Sequence, residues 1–452
     1  MKRRIFNRLL VGLVCLLFWC AMPQMVRAAQ EAEELTNAVA FSHSRLTTLS
    51  KITDKSYTSK IQMQAGDELA LASDMPIGAL YLIFDRPPAP YSVQVGDTTI
   101  QCGENGFLHE TIYIPNSSKE LVIHLPESLL CEVYVFSKGV LPDFVQDWNQ
   151  PYEDCDLLLL PTHADDEHIF FGGIMPYYAG QEGKKVQVAY LTNHWGEPYR
   201  PHELLNGLWT VGVRAYPVIS EFNDLYSMSL DHAKTLYDTE KMLAYQVELI
   251  RRFKPEVIVG HDINGEYGHG VHRLNTHLLM QAVEKSGDSN AFADSAQKYG
   301  TFDVPKTYLH LYGENAFVMD VDKPLSAFGG KTAYEMAVEG FAQHRSQQKW
   351  FSVEKSGKYD CRKFGLYRTT VGQDTGVGDL FEHIEKAADV KPEAERVGDF
   401  KIKKEASSSH LLKQEPTSHS TIILWIGIGA GVVVLCGGIV LILQKKKRRT
   451  HR

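Results

Sequence analysis

The chain has 452 residues, 44% of them hydrophobic, which exceeds one ordinary domain and is ample for buried cores. The formal net charge is −8 and the basic clusters sit at the extreme termini, so the chain carries no electrostatic footprint for a nucleic-acid partner. Two globular domains are the simplest expectation.

Residues 1–29 join a basic opening (Lys2, Arg3, Arg4, Arg8) to an apolar core at 9–20 and to Val26-Arg-Ala28 before Ala29. That pattern is a secretory signal peptide cut after Ala28 or Ala29, with a retained N-terminal anchor as the alternative. Residues 30–150 then show short alternating segments at 57–63, 79–84, 91–95, 110–113, 121–125 and 132–136, separated by turn clusters at 85–90 and 103–106. Such spacing predicts an all-β sandwich domain. Its aromatics, Tyr81 and Tyr91 among them, offer carbohydrate stacking or simply core. Export permits disulfides between Cys102, Cys131, Cys155 and Cys361, and Cys102 with Cys131 is the preferred pair because both fall in this domain; four free buried cysteines are the equal alternative.

Over 151–390 strands alternate with helices. Candidate strands lie at 157–160, 186–191, 218–220, 257–260 and 307–311, and helical stretches near 171–180, 202–213, 240–253 and 273–285. This alternation predicts an α/β domain with a Rossmann-like, doubly wound, mostly parallel sheet. No Gly-x-Gly-x-x-Gly follows the first strand, which disfavours dinucleotide binding.

Two polar clusters end two of these strands. The first is Pro161-Thr-His-Ala-Asp-Asp-Glu-His168, at the strand edge where open α/β sheets place ligands. His163 and Asp166, three apart, can converge on one ion; imidazole with carboxylate suits Zn²⁺ or another divalent first-row metal. Asp165 is left over beside that ion, as a general base requires. An acidic helix N-cap is the plainer alternative for the octapeptide alone. The second cluster runs His261 to His272, where His269 and His272 repeat the spacing of three just before a helical pattern. His163, Asp166 and one of those histidines make a three-ligand site with an open position, the arrangement of a catalytic zinc.

At these residues the chain resembles the PIG-L (LmbE-like) zinc N-deacetylases, marked by His-Pro-Asp-Asp-Glu after the first strand and His-x-x-His after a later one. The resemblance covers roughly residues 154–374. It implies His163, Asp166 and His272 as metal ligands and Asp165 as general base. It further implies that His269 protonates the leaving amine or steadies the oxyanion, and that Tyr267 contacts the oxyanion. Ala164 replaces the usual proline, at a cost of stiffness, and Gly270-Val271 replaces the usual Pro-Asp, removing a partner that would support the metal site. Arg200 and Glu203 resemble the family's Arg-x-x-Glu: Arg200 for a substrate hydroxyl or anionic group and Glu203 to orient it, with a helix-surface ion pair as the alternative. His194 and Trp195 border the same edge. Segments 344–347 and 364–368 are candidates for the pocket wall.

From 391 to 421 the chain is polar and without apolar periodicity, a flexible stalk. Residues 422–443 are an uncharged apolar run long enough for one transmembrane helix, and the basic tail 444–452 is expected to be cytoplasmic, leaving the catalytic domain outside the membrane. Together these readings give a single-pass, membrane-anchored, extracytoplasmic zinc amidohydrolase acting on N-acetylated sugars or glycans. The competing reading is a glycan-binding or adhesion protein whose α/β domain has lost catalysis.

Overall fold

The structure, a computed structural model, describes residues 30–376 and 378–384. The expected signal peptide, stalk, apolar run and basic tail lie outside the described residues. Among the described residues no helix is long and apolar enough to cross a membrane.

The N-terminal part is built from β1 (Val39–His43), β2 (Ile61–Met63), β3 (Asp67–Phe84), β4 (Tyr91–Val95), β5 (Thr98–Cys102), β6 (His109–Leu125) and β7 (Ser128–Phe136). They form one antiparallel sheet in the order β2-β7-β3-β6-β4-β5, with β1 on β3. The segments read as separate strands at 110–113 and 121–125 are two ends of β6. The polar residues between them do not end the strand, because a break in register between Ala72 and Ala79 absorbs them as a bulge, with Ser117 at φ 43°. On either side of the bulge β3 contributes to one core: Leu69 and Leu71 from its first half pack with Leu80, Leu82 and Phe84 from its second. The sheet therefore doubles over its own apolar face, which gives sandwich-like packing without two separately hydrogen-bonded sheets.

Tyr81 and Tyr91 belong to this interior, at 1% and 5% exposure, and are unavailable for sugar stacking. No Cys102–Cys131 bridge forms, and all four cysteines are free and buried. Cys102 packs into one apolar cluster of the sheet and Cys131 into another, so the two thiols serve different interiors.

The second part alternates as expected: β8 (Leu157–Leu159), α1 (Asp166–Ile169), β9 (Val186–Tyr190), α2 (Arg200–Thr210), β10 (Val218–Ile219), α3 (Leu230–Leu236), α4 (Thr239–Phe253), β11 (Val257–Gly260), α5 (Gly270–Lys285), α6 (Ala293–Tyr299) and β12 (Lys306–His310). Unread in the sequence were α3, α6, β13 (Ala316–Val318), α7 (Ala333–Phe341) and β14 (Lys363–Thr369), and the helix expected at 171–180 is a π-helical turn at Met175–Gln181. The sheet order is β10-β9-β8-β11-β12-β14-β13, parallel from β10 to β12 and antiparallel at β14 and β13. Successive strands run outward one way from β8 to β10 and the other way from β11. The β8/β11 boundary is thus the topological switch point, where such sheets open a crevice at their C-terminal edge.

The two parts meet across α2. His202 Nδ1 lies 2.9 Å from His109 Nε2, whose other ring nitrogen lies 2.8 Å from the Tyr81 hydroxyl, and Tyr57 stacks on His202 at 4.7 Å. Gln146 donates to Asn206 (2.6 Å) and Trp209 to the Asp143 carbonyl (2.7 Å). Residues 202, 206 and 209 share one helical face. Arg200, Glu203 and Gly207 share the other, so the β part braces the helix from behind.

On the far side of the sheet, α4 is capped by Asp238, which accepts from the Lys241 amide, and ends where Lys254 turns left-handed at φ 44°. It buries Met242, Val247, Ile250 and Phe253, each worth ~1.5–3 kcal/mol. Arg251, fully buried, donates to the carbonyls of Lys285, Ser286, Asp288, Ala291 and Phe292 and to Ser295 Oγ, stitching the loop after α5 to α4. Removing it strands several buried acceptors at once. Arg251→Ala is expected to lower unfolding free energy by ~3 kcal/mol or more, checked by urea denaturation; a loss below ~1 kcal/mol would refute this reading.

Candidate metal centre

The crevice at the switch point is lined by both sequence clusters. His163 Nδ1 lies 3.0 Å from His272 Nε2 and 3.2 Å from Asp166 Oδ2, and His272 Nε2 lies 3.3 Å from the same carboxylate oxygen. Three donors around a tetrahedral ion with bonds near ~2.1 Å stand about 3.4 Å apart, so the spacing fits one divalent cation. All three residues are buried or nearly so. Of the two histidines left open in the second cluster, His272 completes this triangle. His269, with His163 and His272, forms an overlapping group, its ring 4.9 Å from each of theirs.

The local backbone explains how these side chains are aimed. Asp166 folds its carboxylate back to accept from the amides of Thr162 (3.1 Å) and His163 (2.7 Å), closing the turn after β8. Asp165 then sits at φ 136°, a region L-residues rarely occupy and which costs ~1–3 kcal/mol. The strain is held by the Asp165 amide donating to Glu167 Oε2 (2.8 Å) and by the Asp165 carbonyl accepting from the amides of His168 and Ile169. It turns the Asp165 carboxylate into the pocket, 3.6 Å from Arg200 Nη2. Burial pushes that carboxyl well above its usual range, and the guanidinium only partly offsets this.

Ala164 does more than loosen the turn. Its amide donates to His194 Nε2 (3.2 Å), a bond proline cannot make, and its carbonyl accepts from Arg200. The departure from proline therefore fixes two pocket residues. Glu203 does not orient Arg200, and the two form no surface ion pair: both are buried, and Glu203 accepts from the Ser346 amide (2.9 Å) and hydroxyl (2.6 Å). Gln347 lines the pocket, whereas 364–368 is part of strand β14. Tyr267, at φ 56°, packs on Tyr359 (4.2 Å) and Phe351 (5.3 Å) at the rim.

The support thought lost with the Pro-Asp pair is supplied from elsewhere. Glu266, wholly buried, contacts His261 Nδ1 (2.8 Å), His272 Nδ1 (3.1 Å) and His310 Nδ1 (2.7 Å), and accepts from the Asp262 amide (3.1 Å). By accepting a hydrogen bond from the Nδ1–H of His272 it leaves Nε2 free toward the ion. His261, which with Asp166 and His272 forms another candidate group, already accepts the Thr162 amide at Nε2 (3.0 Å) and so is a support rather than a ligand. Asp224 stands 3.3 Å from His163 Nε2, close enough for charge attraction but without an aligned hydrogen bond. Glu266, His310 and Asp224 were not singled out from the sequence. The available signal was position: His310 ends β12 and Asp224 closely follows β10, both on the edge that carries the motifs.

Burial alone would push the Glu266 carboxyl up, but the imidazoles around it hold it well below its usual range. For His163, burial pushes down, yet Asp224 and Asp166 outweigh it and raise the imidazole to about 10 in the metal-free protein.

The donor set and fold thus define an α/β unit with a candidate metal centre. Residues 158–283 match the family described as "PIG-L: GlcNAc-PI de-N-acetylase". It is 28% identical over 158 residues to a 1D-myo-inositol 2-acetamido-2-deoxy-alpha-D-glucopyranoside deacetylase of Acidothermus cellulolyticus, covering 29% of this chain and 54% of that protein. It is 27% identical over 209 residues to a protein of the same description from Catenulispora acidiphila, covering 40% and 63%. The chain thus spans between about half and two thirds of these relatives' length. Among solved structures, N,N'-diacetylchitobiose deacetylase from Pyrococcus horikoshii aligns at 18% identity over 44% of this chain and 74% of that one, with a TM-score of 0.34.

A divalent ion must displace the His163 proton, so apparent affinity should rise with pH toward about 10 and then level off. The sign for the metal-free fold is opposite: stability from that proton is full below the ordinary imidazole pKa of ~6.5 and is lost as pH rises through about 10. Calorimetric titration of metal into the apo-protein in buffers of different ionisation enthalpy should report proton release on binding. Affinity that is flat between about pH 6 and 9 would contradict this.

Proposed function

We propose that this protein is a metal-dependent N-deacetylase that removes the acetyl group from an N-acetylated amino sugar of a glycoconjugate or cell-surface glycan. The observation that carries the reading is the 3.0–3.3 Å triangle of His163, Asp166 and His272 with the strained Asp165 carboxylate beside it. Zn²⁺ suits this donor set best, although other divalent ions fit it. Bound there, the ion would supply Lewis acidity toward an amide carbonyl and toward water.

The chain's own groups do the rest. Asp165, with its raised pKa, takes the proton of the attacking water and returns it to the departing amine. His269 is pushed down to about 3 by burial and by His163 and His272, and a neighbouring cation pushes the same way. It therefore stays neutral and steadies the developing oxyanion as a hydrogen-bond donor, with Tyr267 at the rim as a second donor. Arg200 and His194, both tied to Ala164, face the sugar. The crevice that holds His163, Asp165, Asp166, Arg200 and His272 has a volume of about 400 Å³, which suits a sugar unit of a glycoconjugate.

Asp165→Asn should retain the metal and lower turnover on an N-acetylglucosamine conjugate by ~10²-fold or more, read as acetate release. Near-normal turnover in the metal-replete variant would transfer the base role to another group.

We further propose an extracytoplasmic site tethered by a single span at 422–443, which rests on the export signal at 1–29 and the basic run after that span. Protease added to intact cells should then digest the catalytic unit. Protection that disappears only on permeabilisation would place the unit in the cytoplasm.

A further inference from the structure

Behind the Asp165 turn lies a second group of donors that the reaction does not use. Glu167, His168 and His344 are each fully buried, at 0% exposure, and can offer one ligand atom each to a common centre. His344 Nε2 stands 3.1 Å and His168 Nε2 3.5 Å from Glu167 Oε1. Despite these distances, none of the three atoms makes an aligned hydrogen bond among the described residues. Donors near each other but not aimed at each other are what ligands of a shared ion look like. The separations bracket the ~3.4 Å edge of a tetrahedral site with bonds near ~2.1 Å.

The surroundings are shaped for these imidazoles. Gly207 of α2 faces His168 and His344: a Cβ there would stand 2.5 Å from His168 Nε2 and 2.9 Å from His344 Nε2. Gly340 of α7 faces His168, its Cβ position falling 2.5 Å from His168 Nδ1. Glycine inside a helix costs about 1 kcal/mol relative to alanine, yet two helices carry one at this point. Glu167 is pre-aimed as well, because the Asp165 amide holds Oε2 and leaves Oε1 toward the histidines.

We propose that Glu167, His168 and His344 bind a second divalent cation, Zn²⁺ by the chemistry of two imidazoles and a carboxylate. The site has no exposed face, so the ion is structural. It ties the helical turn of Glu167 and His168 to the segment after α7, two pieces of chain far apart in sequence, against the face of α2 that carries Gly207. The proposal does not depend on the reaction assigned above, since it concerns occupancy alone.

The test is metal content of the purified full chain after zinc loading and dialysis. Two ions per chain are expected, one after His163→Ala, one after His344→Gln, and none after both changes. In the His163→Ala background, chelator should lower the melting temperature and zinc should restore it; adding His344→Gln should abolish that response even if the double variant is less stable. Zinc-edge anomalous scattering from crystals of the wild-type chain should give a peak between the three side chains. A wild-type zinc content that His344→Gln does not reduce, or His163→Ala with neither bound zinc nor a zinc-dependent melting shift, overturns the proposal.

Discussion

The buried Glu266 carboxylate is the interaction on which the candidate centre depends. An ionised carboxylate out of water is tolerable only when its lone pairs are filled, and here three imidazoles and one amide fill them. Those contacts fix the ring of His272 with Nε2 toward Asp166 and His163. They also tie β11, α5 and β12 together at one point, so the ligand triangle is set by the packing of the sheet edge rather than by any single loop. A residue six positions after the end of β11 thus supplies what the Gly270-Val271 pair does not.

A second constraint is the brace on α2. The helix has a face committed to the β part through His202, Asn206 and Trp209, and a face committed to the pocket through Arg200. The β part is therefore coupled to the pocket by contact, whatever it binds. It sets where Arg200 stands relative to Asp165, which in turn tempers how far burial raises the Asp165 carboxyl.

The turn after β8 concentrates opposing demands in six residues. Asp166 must be a low-pKa ligand and Asp165 a high-pKa base, although they are adjacent. Both are buried, and burial alone would raise both. Asp166 escapes because His272, His163 and His261 surround it, while Asp165, rotated away by its positive φ, is offset chiefly by Arg200 and is pushed further up by Asp166 and Glu167. The backbone strain at one residue is what separates the two environments.

The sequence by itself determined the alternation of strands and helices from 157 to 310, the edge on which the motifs lie, and the approach of His163 and Asp166 to one of the two histidines His269 and His272; the family resemblance pointed to His272 and the packing placed it in the triangle. These follow from local periodicity and from the rule that parallel sheets bind at their C-terminal ends, which need no knowledge of distant contacts. Only the tertiary structure decided the partners: Glu266 with His310, Asp224 with His163, Ala164 with His194, Glu203 with Ser346, and the Glu167, His168 and His344 group. It also decided that β3 and β6 run unbroken through polar stretches and that Tyr81 and Tyr91 are core. Each of these joins residues between about twenty and two hundred positions apart through side-chain geometry or a bulge, and one-dimensional spacing carries no term for which surfaces fold onto one another.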